Sequence, residues 1–121
     1  MSKYELTILI KQDITSNAVD KITDKTIKQL EKNEFKFIKK EYWGLRSLEY
    51  IILNNRKAHY VMIAIEGMPA GLEGMRSYFK MTSEIMRHMF VKVTAIEEKF
   101  SPILQTKIEN EKTIDITSKS Q

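Results

Sequence analysis

The sequence predicts an α+β domain in which two helices cover one face of a four-stranded antiparallel sheet. Three observations support this fold class. The chain has 121 residues and 42% of them are hydrophobic, which suits one domain with one modest core. Strand-like and helix-like segments follow one another in the order β-α-β-β-α-β. Elements in this order bury their apolar faces when both helices pack on one face of an antiparallel sheet. This arrangement is usually called ferredoxin-like.

The first two predicted elements are a strand over residues 4–10 and an amphipathic helix that follows it. The segment YELTILI is rich in β-branched and aromatic residues, which is typical of a strand. From Val19 to Leu30, Val, Ile, Thr and Leu recur at helical spacing, and the lysines lie off that stripe. We expect Ser16 or Asn17 to cap the helix and the EKNE segment to close it.

The next two predicted strands form a hairpin. Residues 35–52, FKFIKKEYWGLRSLEYII, are long for one strand, and Gly44 predicts a bulge or bend within it. Residues 53–58 are the predicted turn, because two Asn residues there tolerate positive φ. Residues 59–66 are almost wholly apolar, which predicts a central strand buried on both faces.

A second helix and a last strand complete the predicted sheet. After a loop at 67–71, apolar side chains recur at helical spacing up to about Met81. Residues 85–94, IMRHMFVKVT, are the predicted fourth strand. Farther along the chain, isolated Ile and Leu stand among Ser, Thr, Lys, Asn and Glu. We therefore expect a folded domain over residues 1–97 and a mobile polar tail over residues 98–121.

Positive charge is concentrated in two middle blocks of the chain. The net charge is +4 and the pI is about 9.2. Residues 34–60 hold six Lys and Arg against three Glu, and residues 76–92 hold four against one Glu. If the fold brings the two blocks together, they form a basic face of the kind that binds a polyanion.

The sequence contains few candidate catalytic residues. It has no Cys, which excludes disulfides and thiol catalysis. His59 and His88 fall on predicted strands without a metal-binding motif, so we expect neither a metal site nor a cofactor. The glycines at 67, 71 and 74 match no phosphate-loop pattern and indicate a flexible entry to the second helix. An acylphosphatase shares this element order, but it would need an Arg in the loop KQDITSN, which has none.

One segment of the predicted hairpin, KKEYWGLRSLEYII, mixes aromatic, cationic and aliphatic side chains. Tyr42 and Trp43 are neighbours, so in a regular strand they point to opposite faces. Arg46 is close enough in sequence to share a surface with whichever ring is exposed. Aromatic rings beside guanidinium groups suit RNA loops, but an edge strand protected by charge would carry the same residues. The residues alone leave these two interpretations open.

Several of these residues match a known family. The first strand starts with Tyr4-Glu5, and the centre of the chain has the pattern W-G-x-R-x-L-x-Y-x-I from Trp43 to Ile52. The closing segment has a basic residue before a polar-acidic turn and then an Arg in the last strand, here Lys80, Ser83-Glu84 and Arg87. On these motifs the chain resembles the bacterial small-subunit ribosomal protein six family over most of the predicted domain.

The resemblance implies a ferredoxin-like fold, no catalysis, and a structural role in translation as a component of the small ribosomal subunit in the cytoplasm. It implies binding to the central domain of small-subunit ribosomal RNA, together with a protein partner, small-subunit ribosomal protein eighteen. It implies no membrane and no small-molecule substrate.

We predict residues for each of the two interfaces. The residues expected to contact RNA phosphate and sugar are Lys3, Tyr4, Arg46, Lys80, Arg87 and Lys92. The residues expected at the protein interface are Trp43, Leu45 and Leu48. We further expect Arg46, Lys80 and Arg87 to lie within one basic patch.

The chain departs from the family pattern at a few positions. Glu49 and Ile51 flank the motif Tyr, where the family commonly has Ala and Pro. Ala58 stands where a Gly usually precedes the third strand. Ser2 stands where the family often has a second early cation, which leaves Lys3 alone near the first strand.

Two alternatives share the element order. An RRM-type module for single-stranded RNA would stack bases on aromatic residues of its central strands, and its signature is missing from KAHYVMIAI. This alternative ranks second, and an acylphosphatase-like enzyme ranks third.

Overall fold

The computed structural model describes residues 1–94 of the chain. The elements in that part are β1 (Ser2–Lys11), α1 (Ser16–Lys32), β2 (Lys36–Ile52), β3 (Asn55–Gly67), α2 (Ala70–Met81) and β4 (Ile85–Val93). The strands form one sheet in the order β2-β3-β1-β4, and each neighbouring pair is antiparallel. This confirms the predicted ferredoxin-like fold. The predicted tail, residues 98–121, lies outside the described residues.

The main core lies between the sheet and the two helices. Alternate residues of β1, from Tyr4 to Ile10, and of β3, from Val61 to Ile65, are buried against the helices. The helices contribute the buried side chains Val19, Leu30, Met75 and Phe79. The hydroxyl oxygens of Thr26 and Tyr78 are 2.7 Å apart, so a hydrogen bond also joins the two helices.

The β2–β3 hairpin is long and irregular, as the sequence predicts. Its pairing shifts in register at three places, one of them between Tyr42 and Gly44. Gly44 has a φ of 85°, which confirms the expected bulge at this position. Leu53 and Asn54 also have positive φ and form a two-residue turn between paired Ile52 and Asn55. The third strand therefore begins at Asn55, earlier than predicted.

The start of α1 differs by a residue or two from the sequence-based expectation. The Thr15 hydroxyl accepts a hydrogen bond from the Ala18 amide at 3.2 Å, so Thr15 is the N-cap. The prediction that Ser16 or Asn17 caps the helix is therefore wrong, because both residues lie inside the helix.

The glycines before and within α2 allow close packing. A Cβ atom on Gly67 would lie 2.5 Å from the Phe35 ring, and one on Gly71 would lie 2.7 Å from the same ring. A Cβ atom on Gly74 would overlap the side-chain oxygen of Asn33. These contacts seat α2 and the end of β3 against Asn33 and Phe35, just before β2. The flexible entry to the helix stays a prediction.

Candidate nucleic-acid interface

Exposed cations follow the edge of the sheet that β4 forms. Arg87 and Lys92 lie on β4 and are exposed, and Lys80 is exposed in the last turn of α2. None of the three forms an ion pair within residues 1–94. We call Lys80, Arg87 and Lys92 the basic edge. Its uncompensated charge is the electrostatic footprint that a polyanion partner requires.

Ring stacking holds α2 beside β4. The Phe79 ring stacks on His88 with 4.0 Å between centroids, and it contacts Phe90 edge-on at 6.1 Å. Burial lowers the pKa of His88 below its ordinary value of 6.5, so the imidazole is neutral at pH 7. Phe79 and Lys80 both lie in the last turn of α2, so this contact ties the end of the helix that carries Lys80 to β4.

Arg46 lies at the opposite edge of the sheet from the basic edge. It is on β2, and three strand spacings separate β2 from β4, roughly 14 Å at about 4.8 Å each. Its guanidinium carbon lies 5.4 Å from the centre of the Trp43 ring, and its Nε donates to the Trp43 carbonyl at 3.1 Å. The expectation that Arg46, Lys80 and Arg87 share one patch is therefore wrong.

Lys3 and Tyr4 are neighbours on β1 and so face opposite sides of the sheet. Lys3 is partly exposed on the face away from the helices, where it pairs in register with Glu66 of β3. The Tyr4 ring is 5% exposed and packs edge-on against Phe35, with centroids 6.2 Å apart. Tyr4 is thus a core residue, and its burial leaves little surface for the RNA contact that the resemblance implies.

The residues expected at the protein interface do not share one surface. Trp43 is 9% exposed and packs with Tyr60 and Met62 in a second apolar cluster, on the sheet face opposite the helices. Leu48 is partly buried against that cluster. Leu45 pairs with His59 and is 47% exposed on the other side of the strand. The bulge at Tyr42–Gly44 separates these positions, since an extra residue reverses the alternation of faces.

The far end of the hairpin exposes several large apolar side chains that sequence reasoning had not assigned. Their exposed fractions are 75% for Tyr50, 61% for Ile51 and 62% for Leu53. We call Leu45, Tyr50, Ile51 and Leu53 the hairpin patch. The sequence indicates part of this patch, because adjacent residues of a strand point to opposite faces. Tyr50 and Ile51 therefore cannot both face one core.

The sheet lacks the base-stacking platform of an RRM. On the face away from the helices, the central strands carry Lys3, Glu5, Thr7 and Leu9 from β1 and Ala58, Tyr60, Met62 and Ala64 from β3. Tyr60 is the one aromatic residue in this set, and it is buried. Splayed bases therefore find no exposed ring on these two strands.

The described residues also carry no sign of the enzymatic alternative. The loop between β1 and α1 contains Gln12, Asp13, Ile14 and Thr15, and so has no Arg to hold phosphate. No group of three or more His, Asp or Glu within residues 1–94 could hold a metal ion. Over the same range, no helix has the length and apolar character needed to cross a membrane.

Together, the fold and the basic edge define a small α+β domain with a positively charged sheet edge. The model of the family described as ribosomal protein S6 matches residues 3–92. The small ribosomal subunit protein bS6 of Orientia tsutsugamushi (strain Ikeda) is 38% identical over 118 residues, which cover 98% of this chain and all of that protein. The protein of the same name from Rickettsia prowazekii (strain Madrid E) is 40% identical, covering 97% of this chain and 98% of the relative.

A solved structure shows the same fold. The crystal structure of 30S ribosomal protein S6 from Thermotoga maritima matches with a TM-score of 0.73 at 19% identity, covering 92% of this chain and 97% of that one. The family model and the sequence relatives go further than the fold. The chain belongs to the ribosomal protein S6 family, which confirms the resemblance found in its motifs.

Proposed function

We propose that this chain is a structural, non-catalytic component of the small ribosomal subunit that binds small-subunit ribosomal RNA together with small-subunit ribosomal protein eighteen. Family membership over residues 3–92 is the observation that carries this proposal. The relatives are small ribosomal subunit proteins, and they match this chain over nearly its whole length. The cytoplasmic ribosome is the corresponding location.

RNA binds along the basic edge in this proposal. Lys80, Arg87 and Lys92 are exposed, and the only acidic residue from 76 to 94 is Glu84. Contacts between such cations and phosphates supply affinity and fix orientation without reading sequence. Lys3 lies on the neighbouring strand and adds a further cation, whereas the buried Tyr4 is left out of the contact surface.

Arg46 makes a separate RNA contact in this proposal. Because it lies at the β2 edge, an RNA that touches both Arg46 and Arg87 has to cross the sheet face opposite the helices. The Trp43 carbonyl and ring hold the guanidinium in place, which reduces the side-chain entropy lost on binding.

The protein partner binds the hairpin patch. Leu45, Tyr50 and Ile51 expose apolar side chains on β2, and Leu53 does so in the turn that follows. Large apolar side chains exposed in this way suit a protein interface. Trp43 and Leu48 support that arm from the second apolar cluster. Of the three residues predicted for this interface, Leu45 is therefore the direct contact.

The salt dependence of RNA binding tests the RNA half of the proposal. The full chain and purified small-subunit ribosomal protein eighteen are titrated onto a transcript of the central domain of the small-subunit ribosomal RNA. The variant carries Lys80→Gln, Arg87→Gln and Lys92→Gln. The matched control carries Lys21→Gln, Lys25→Gln and Lys28→Gln, which removes the same charge from exposed positions on α1.

The two variants separate local contacts from net charge. We expect the basic-edge variant to lower the slope of log affinity against log salt by roughly three, about one for each lost phosphate contact. The α1 variant keeps a slope close to that of the wild type. Equal slopes for the two variants would show that only net charge matters and would refute the basic edge.

A further inference from the structure

A small cleft lies between β1 and β4 on the sheet face opposite the helices. It has a volume of about 250 Å³ and is lined by Thr7, Leu9, Arg87, His88 and Met89. Thr7 pairs in register with Met89 and Leu9 pairs with Arg87, so the four residues form alternate rungs of one ladder, which share a face of the sheet. Sites for drug-sized ligands span about 300–1,000 Å³, so this volume suits a smaller group such as one nucleobase.

The Thr7 hydroxyl is the unusual group in this cleft. Thr7 is 3% exposed, and within the part of the chain that the structure describes its Oγ1 has no hydrogen-bond partner. A buried hydroxyl without a partner destabilises a fold, and a valine of the same shape would avoid that cost. A hydroxyl at this position therefore calls for a role outside folding.

The other side chains of the cleft supply two further kinds of contact. The Arg87 Nη1 donates to the Met86 carbonyl at 2.9 Å, which fixes the guanidinium at the rim and leaves its remaining N–H groups for another acceptor. Leu9 and Met89 provide apolar surface beside it. A cation, an apolar wall and one hydroxyl match the phosphate, the flat base and the polar base edge of a nucleotide.

We propose that the β1–β4 cleft binds a single unpaired nucleotide of the RNA. The base lies against Leu9 and Met89, the Thr7 hydroxyl hydrogen-bonds the base edge, and Arg87 contacts the adjacent phosphate. The nucleotide is unpaired because a base inside an A-form helix cannot present its face and edge to side chains. This assignment rests on the proposed RNA binding and adds Thr7, Leu9 and Met89 to its contact residues.

Thr7→Val tests the cleft, because it removes the hydroxyl and keeps the shape. We expect the affinity of the full chain for the central-domain transcript, with the partner protein present, to fall by about three- to tenfold, as for a lost neutral hydrogen bond. The salt slope stays unchanged because no charge is lost. The thermal unfolding midpoint stays the same or rises, which separates this result from misfolding.

Thr23→Val is the matched control. Thr23 is also buried, but its hydroxyl donates to the Val19 carbonyl at 2.8 Å on α1, far from the cleft. We expect this variant to bind RNA like the wild type. Wild-type affinity in Thr7→Val would overturn the cleft assignment, whereas failure of the unmodified chain to bind the transcript would refute the proposed function itself.

Methionine methyl NMR provides a second measurement on the unmodified chain. In the proposal, the methyl of Met89 shifts when the transcript is added, because Met89 lines the cleft. The methyl of Met75 serves as the internal reference, since it is fully buried in the main core. An RNA complex in which the Met89 methyl shifts no more than the Met75 methyl would also overturn the assignment.

Discussion

The two edges of the sheet differ in regularity and in surface chemistry. β2 has 17 residues and shifts register against β3 at three places, whereas β4 has nine residues and shifts against β1 once. The far end of β2 exposes apolar side chains, and β4 exposes cations. The two edges lie three strand spacings apart, so one small sheet presents two separate surfaces of different chemistry.

The irregularity of β2 explains how one strand serves both the core and the surface. Each bulge reverses the alternation of faces, so Trp43 enters the second apolar cluster while Leu45 remains exposed. β4 has one register shift against β1, and its exposed cations discourage other strands from pairing with that edge.

The largest expected effect concerns Trp43, the most buried aromatic side chain of β2. Trp43→Ala should lower the free energy of unfolding by about 3–5 kcal/mol, because it removes a large side chain from the second cluster. Chemical denaturation of the free protein measures this loss. Trp43→Phe, which keeps part of the packing, should lose clearly less.

The stability of Trp43→Ala therefore shows whether the Trp43 side chain belongs to the core or to an exposed interface. If Trp43→Ala unfolds at the same denaturant concentration as the wild type but no longer binds the partner protein, Trp43 is an exposed anchor of the interface. The distinction between buried Trp43 and exposed Leu45 would then be wrong.

A smaller effect is expected at the bulge itself. Gly44 has a φ of 85°, and no atom lies within 4 Å of the position that a Cβ would take. Gly44→Val should therefore cost about 1–2 kcal/mol from backbone strain alone. Gly44→Asn should cost less, because Asn tolerates positive φ better than other residues with a Cβ. Equal denaturation curves for the two variants would show that the bulge can relax.

The smallest expected effect is the pH dependence at the β4 edge. Burial lowers the pKa of His88 below 6.5, so the unfolded chain binds the proton more readily than the folded chain. Stability should therefore fall as the pH drops below 6.5, and the fall should level off below the folded pKa. The effect is modest because His88 is partly open to solvent.

His88→Phe isolates this contribution, because a phenyl ring can keep the stack on Phe79 and does not titrate. Thermal melts from pH 8 to pH 5 should show a shallower loss of stability in this variant. Parallel melting profiles would show that His88 does not titrate differently in the folded chain.

Much of the fold could be predicted from the sequence, because periodicity and turn chemistry are local. The strands, both helices and the bulge at Gly44 follow from those signals. The separation of Arg46 from Arg87 could also have been predicted, since the predicted fold places the second and fourth strands at opposite edges of the sheet. The early start of β3 was missed because its polar first residues resemble a loop.

The surfaces were harder to predict, because a bulge changes which residues share a face. Simple alternation from Trp43 places Leu45 on the same side and Leu48 on the other, whereas the register shift puts Leu48 with Trp43 and Leu45 on the opposite side. The burial of Tyr4 depends on its contact with Phe35, which is distant in sequence. No local pattern reveals the unpartnered hydroxyl of Thr7, since it depends on the neighbouring strands.

The most direct test of the division between the two edges is binding of purified small-subunit ribosomal protein eighteen without RNA. Two variants of the full chain are compared, Leu45→Ser with Ile51→Ser at the hairpin patch and the triple glutamine variant of the basic edge. Both change exposed residues, so both should unfold within about 0.5 kcal/mol per substitution of the wild type. We expect the hairpin variant to bind the partner about tenfold or more weakly, and the basic-edge variant to bind it like the wild type. Equal weakening in both variants, or weakening in the basic-edge variant alone, would contradict this division.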